Sequence, residues 1–311
     1  MRVIANSKRY MMISLCVIAV GLAFLVWNVA AGNGAFNLDV EFTGGTDITI
    51  DIDQDFYIGD IHEIVSEATG ITGAQIQHIL GTQSVSIRMS ELDSEQRQAL
   101  ISLATERYGI SPEEHITMMD VSATISREMQ RSAVLAIIVA CIGMMLYIAV
   151  RFRDLKIGVA MIIAAAHDVT IVLLFYSILR ISLSNSFIAA MLTVVGFSIN
   201  ATIIIFDRFR ENRRLTEEAL KENVIMSRKS EKAPSLEEHL DLSINQTILR
   251  CLYTALFVLV VALCLYVVGV PMIRDFMLPI IIATICGTYS SIFISGPLYY
   301  MMAKRTEAQA E

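Results

Sequence analysis

Long charge-free stretches alternate with charged ones along this chain. Residues 10–38, 132–150, 181–206, 251–273 and 276–303 hold no Asp, Glu, Lys or Arg. A further stretch, 157–179, is interrupted only by His167 and Asp168. A helix needs ~20 apolar residues to cross a bilayer, and inside lipid its backbone must satisfy its own hydrogen bonds. The pattern therefore predicts six transmembrane helices, at about 11–31, 133–150, 157–179, 187–206, 251–270 and 277–301. Val29-Ala30-Ala31 has the small residues of a signal-cleavage site. The apolar core before it exceeds the usual ~7–15 residues, so the first stretch reads as a retained span.

Between the first two spans, residues 32–131 change period. "FNLDVEF" (36–42) and "TDITIDI" (46–52) alternate as strands do, around Gly44-Gly45. "YIGDIHEIVSEATG" has helical spacing and Gly70 as its stop. "AQIQHIL" and "SVSIRMS" read as strands joined at Gly81-Thr82-Gln83, Ser94 opens a second helix, and "HITMMDVS" gives a last strand. The order β-α-β-β-α-β predicts a small ferredoxin-like α+β domain. Such a scaffold is neutral as to function. His62, His78 and His115 are scattered along it, and no nucleophile–base pair stands out. Gly44 and Gly45 in "EFTGGT" carry two readings: a tight turn or bulge, or close backbone approach to another element.

Composition and charge support the membrane reading. Of 311 residues 55% are hydrophobic, more than a soluble chain of this length usually carries. The net charge of −7 is unevenly spread, since 32–131 holds 17 acidic and 5 basic residues. Basic residues collect in four other segments. These are Arg2, Lys8 and Arg9; Arg151, Arg153 and Lys156; the 207–250 link, from Arg208 to Lys232; and Lys304 and Arg305. With six spans all four fall on one side, which predicts cytoplasmic termini and an outer 32–131 domain. The boundaries expected are 1–31 for the N-terminus and first helix, 132–303 for the other helices, and 304–311 for the tail. An acidic outer domain argues against nucleic-acid binding. The five cysteines all lie in predicted spans, so no disulfide framework and no metal-ligand spacing is expected.

Three features carry candidate chemistry. Asp168 sits midway along the third span, with 11 uncharged residues on each side. An ionised Asp there costs about 2.5–3.5 kcal/mol, so the choice lies between a hydrogen-bonded structural acid and a functional one. His167 occupies the preceding position, about 100° round the helix. Arg250, at the start of the fifth span, is the cation expected to tune the acid. In the fourth span Thr193, Gly196, Asn200, Ile203 and Asp207 share a face, expected to meet protein or water as a packing surface or a conduction path. In the sixth, Ala283, Gly287, Ser291 and Ser295 form a small-residue packing stripe.

Together, "VEFTGGTDITI", "AHDVTIVL", "VVGFSINATIIIFDRFREN", "INQTILR" and "GTYSSIFISGPL" resemble the SecF members of the SecD/SecF protein-export family over essentially the whole chain. The resemblance implies a resistance-nodulation-division type of fold in a bacterial cytoplasmic membrane. It implies a non-enzymatic subunit without a cofactor that pairs with SecD. The pair joins the SecYEG translocon, with YajC alongside, and uses the proton-motive force to help an unfolded polypeptide across. Asp207, Arg208 and Glu211 match the family's charged end of the fourth helix, Gly196 and Asn200 its polar segment, and Asp168 and Arg250 family positions. Asn200 is followed by Ala201 where the family commonly has an Asp proposed to carry protons. The role of that acid does not transfer. Two other readings share the architecture: a half-transporter exporting lipids or small molecules, and a passive scaffold for SecD.

Overall fold

The computed structural model describes residues 2–32, 34–71, 73–79, 82–152, 154–225 and 234–310. Leu80 and Gly81 of the expected hairpin, and the basic residues Arg153, Arg228, Lys229 and Lys232, lie outside the described residues. The chain forms two compact units: residues 38–135, and residues 1–37 with 136–311.

In chain order the elements begin with α1 (Ser7–Ala30), β1 (Asn37–Leu38), α2 (Val40–Thr43), β2 (Gly45–Asp51), α3 (Ile58–Thr69), β3 (Gln75–His78) and β4 (Ser84–Met89). Then come α4 (Ser94–Tyr108), α5 (Pro112–His115), β5 (Ile116–Val121), α6 (Ala123–Phe152) and α7 (Leu155–Leu179). The last are β6 (Ser182–Leu183), α8 (Asn185–Ile225), α9 (Leu236–Val268), α10 (Pro271–Phe293) and α11 (Ser295–Ala310).

The 38–135 unit is built on a four-stranded antiparallel sheet in the order β3-β4-β2-β5. Ile48, Ile50, Val85 and Ile87 from its strands meet Ile61, Val65, Leu100 and Ala104 from α3 and α4 in one buried core. Local chemistry fixes the helix ends. Asp93 and Gln96 close a reciprocal capping box at the start of α4, and Gly70 and Gly109 end α3 and α4 in the left-handed conformation. The strand expected over 36–42 is not formed. Asp39 accepts from the Glu41 amide and starts the helical turn α2, so the strand is limited to residues 37–38. Gly44 and Gly45 satisfy both readings of that motif. They have φ of +75° and +124°, and a Cβ on Gly45 would lie 2.2 Å from the Met89 carbonyl oxygen across the sheet.

Among the described residues, six helices are long and apolar enough to cross a membrane. α8 has 41 residues, about 60 Å at 1.5 Å per residue, roughly twice the hydrocarbon thickness. Its charged second half therefore continues the same helix beyond the apolar run. α9 likewise starts at Leu236, well before the run that predicts it. The sixth span is not one smooth helix. α10 stops at Ile294 and α11 starts at Ser295, where Pro297 has no amide to continue the ladder.

Within this unit α7, α8, α9 and α10 pack on one another, and α1 lies along α7. At one end Phe206, Phe209 and Tyr299 stack edge-on at 5.4–6.5 Å. Arg151 meets Asp207 at 2.6 Å, and Arg208 bonds Glu211 and Gln246, each at 2.7 Å. Asn212 donates to Ser243 Oγ at 2.8 Å. The "DRFREN" segment thus ties α8 to α6 and α9. Its ion pairs are partly exposed, so they set register more than they add stability.

Candidate functional site

The apolar walls of α7, α8 and α10 close over one carboxyl group. Asp168 is fully buried. Its Oδ2 accepts from Ser198 Oγ of α8 at 2.5 Å and from Ser290 Oγ of α10 at 2.7 Å. Its Oδ1 lies 2.9 Å from Nδ1 of His167, whose Nε2 lies 2.5 Å from Ser14 Oγ of α1. Four helices therefore meet at one acid through three hydroxyls and an imidazole. A buried charge or polar group is tolerated when its oxygens are all engaged, and here both are.

Small residues make room for this arrangement. A Cβ on Gly287 would stand 3.4 Å from Asp168 Oδ2 and from Ser198 Cβ, so the stripe on α10 is what lets α8 and α7 close around the acid. Ser291, one turn on, bonds Thr202 Oγ1 at 3.0 Å. Ala283, Ser291 and Ser295 are fully buried, as a packing stripe requires.

One expectation changes. Arg250 is exposed on α9 and makes no ion pair with Asp168 among the described residues. The carboxyl oxygens are already engaged by His167 of α7, Ser198 of α8 and Ser290 of α10. The polar face of α8 is turned away from this cluster and stays open on the surface of the chain. Thr193, Gly196 and Asn200 are exposed, and nothing stands within 4 Å of where a Gly196 Cβ would be. The buried face carries Val194, Ser198, Ala201, Thr202 and Ile205.

Ser14, Ser198 and Ser290 complete the site, and the sequence reading does not single them out. A signal existed for each. Ser14, Gly21 and Asn28 recur at seven-residue intervals on α1 and are its buried positions. Ser198 lies four residues beyond buried Val194 and four before buried Thr202. Ser290 sits three residues from Gly287, on the same helical face as the four-residue stripe.

Fold and site together define a multi-pass helical membrane protein with an ionisable cluster held among its spans. Residues 104–305 match the family model described as "Protein export membrane protein SecD/SecF, C-terminal". The chain is 29% identical over 302 residues to the protein translocase subunit SecF of Thermodesulfovibrio yellowstonii, covering 96% of this chain and 94% of that one. It is 33% identical over 294 residues to the translocase subunit SecDF of Thermus thermophilus, covering 93% of this chain but 37% of that longer one. The crystal structure of SecDF from Thermus thermophilus superposes with a TM-score of 0.82 at 30% identity, over 98% of this chain and 39% of that one. The chain belongs to the SecD/SecF protein-export family, as a SecF-type translocase subunit.

Proposed function

We propose that this chain is the SecF-type accessory subunit of a Sec translocase, pairing with SecD and coupling proton passage at Asp168 to late steps of protein export. The observation that carries the proposal is Asp168 itself, a fully buried acid in a membrane helix whose partners can serve it charged or neutral. A hydroxyl both donates and accepts, and a neutral imidazole does the same through its two nitrogens. Such a cluster can hold the acid in either protonation state, and each state favours its own packing.

The exposed stripe of Thr193, Gly196 and Asn200 supports the pairing. Polar positions within an apolar span are unfavourable against lipid, so a second set of helices is expected over them. In the Thermus relative both parts belong to one chain, of which this protein matches 39%. Basic residues such as Arg151, Arg208, Arg213, Lys304 and Arg305 support cytoplasmic termini and an extracytoplasmic 38–135 unit. The sheet order and the two helices on one face of that unit support a ferredoxin-like fold. Its surface would meet SecD or the emerging polypeptide, while SecYEG and YajC complete the assembly within the lipid bilayer. Ala201, buried where the family commonly has an acid, favours a second reading in which the chain only stabilises SecD.

Sealed vesicles carrying SecYEG and SecD, with and without this chain, separate the two. The proposal expects an imposed proton gradient to speed export only when the chain is present. Equal stimulation without it, at equal SecD content, leaves the scaffold reading.

A further inference from the structure

We propose that Asp168 takes up and releases its proton through His167, with Ser14 of α1 as the residue that positions the imidazole. The inference rests on Asp168 as the protonatable residue and adds the route and the helix that senses it. Its basis is the unbroken line Ser14 Oγ, His167 Nε2, His167 Nδ1, Asp168 Oδ1, with separations of 2.5 Å and 2.9 Å at its two hydrogen bonds. The other carboxyl oxygen is held apart, on Ser198 and Ser290. The two sides of the acid therefore have different work: one fixes it and one exchanges with it.

The proton balance is simple. With Asp168 ionised, Nδ1–H of His167 donates to Oδ1 and the Ser14 hydroxyl donates to Nε2. Ser14 gives its proton to Nε2 while taking one from a hydronium ion, which leaves as water. The imidazolium then gives its Nδ1 proton to Oδ1. One N–H bond has formed, one has broken, and the carboxyl has gained an O–H bond. His167 ends neutral, now donating from Nε2 to Ser14, whose hydroxyl has changed from donor to acceptor. Oδ2 accepts from Ser198 and Ser290 throughout, so their helices need not move.

α1 is the helix that registers the change. Its buried positions are Ser14, Gly21 and Asn28. Gly21 lies against Leu174, where a Cβ would come within 2.7 Å, and Asn28 donates to the Ser177 carbonyl at 2.9 Å. These two contacts on α7 carry no titratable group, and the Ser14–His167 bond does. Around the pair, α1 presents Ser14, α8 presents Ser198, and α10 presents Ser290 and the Cys286 thiol. In sequence, α1 precedes the 38–135 unit.

The test uses the full chain assembled with SecD in bilayers, with nitrogen-labelled histidine and infrared detection of the Asp168 carboxyl. As the carboxyl band of protonated Asp168 appears, the His167 proton should move from Nδ1 to Nε2 with the same midpoint. His167→Gln should assemble and lose gradient-stimulated export. Ser14→Ala should lose it and Ser14→Thr, which keeps the hydroxyl, should restore it. Protonation of Asp168 with an unchanged His167 tautomer overturns the route, as does full stimulation in assembled His167→Gln. Should His167→Gln fail to assemble, the tautomer measurement on the unsubstituted protein decides. Loss of stimulation in Asp168→Asn but not in His167→Gln rejects the route alone. Retention in Asp168→Asn rejects the reading beneath it.

Discussion

A carboxyl group between apolar helices is held by whatever donors reach it, and at Asp168 two of these are serines from other helices. Removing either hydroxyl leaves Oδ2 with one donor fewer in a site closed to solvent. Ser198→Ala and Ser290→Ala should each destabilise the helical unit by about 1–3 kcal/mol, read as a lower unfolding midpoint in detergent. An unchanged midpoint for both would mean that water replaces the lost hydroxyls. Asp168 was legible in the sequence because an acid with 11 uncharged residues on either side has few explanations. Its serine partners were not, because a serine in a membrane helix is common and bonds its own backbone, as Ser291 and Ser295 also do here. Which hydroxyl meets the acid depends on helix rotation, and that is a property of the packed unit. Arg250 shows the same limit from the other side: its charge suggested a partner, and packing left it on the surface of α9.

At the scale of elements, glycines mark where backbones come close. Gly45 combines φ of +124° with the Met89 carbonyl oxygen where a side chain would begin, so no rotamer relieves the clash. Gly45→Ala should uncouple the start of β2 from β4, seen as faster amide exchange at residues 84–89 in the intact protein. Normal protection there would mean the sheet can shift to admit a methyl group. Strands β2 to β5 and helices α3 and α4 followed from periodicity and caps, which are local. The stretch 36–42 misled because alternation alone cannot report that the Asp39 side chain caps a helical turn. The length of α8 misled in another way. Hydropathy ends a span where charge begins, but a helix ends only where its backbone bonds do, and the charged residues of α8 keep theirs.

For the molecule as a whole, charge sets both orientation and response to pH. If the 38–135 unit faces outward, Ser94→Cys in a cysteine-free variant should react with an impermeant reagent in intact spheroplasts. Labelling only after lysis would reverse the assignment. Within that unit, burial raises the Asp39 carboxyl above its ordinary value of 3.8, with Asp47 adding to the shift and Arg88 opposing it. The folded unit then binds this proton more readily than the unfolded chain. Its contribution is complete below 3.8 and is lost as the pH rises through the raised value. Amide protection factors in β2 and β4 should fall across that window, and less so in Asp39→Asn, which keeps the helix cap. Equal pH dependence in both proteins would remove Asp39 as the cause.

The number of spans was readable from hydropathy alone, since it needs no tertiary information. The proposed coupling to a proton gradient rests on one buried acid, and one measurement addresses it most directly. Export of a precursor into sealed vesicles is followed with and without an imposed proton gradient, comparing the unsubstituted chain with Asp168→Asn at equal content of assembled SecD. Asn preserves the volume and accepts hydrogen bonds, but it does not titrate. The gradient should accelerate export with the unsubstituted chain and have no such effect with Asp168→Asn. Full acceleration in the assembled Asp168→Asn complex would contradict the account and make Asp168 a structural residue.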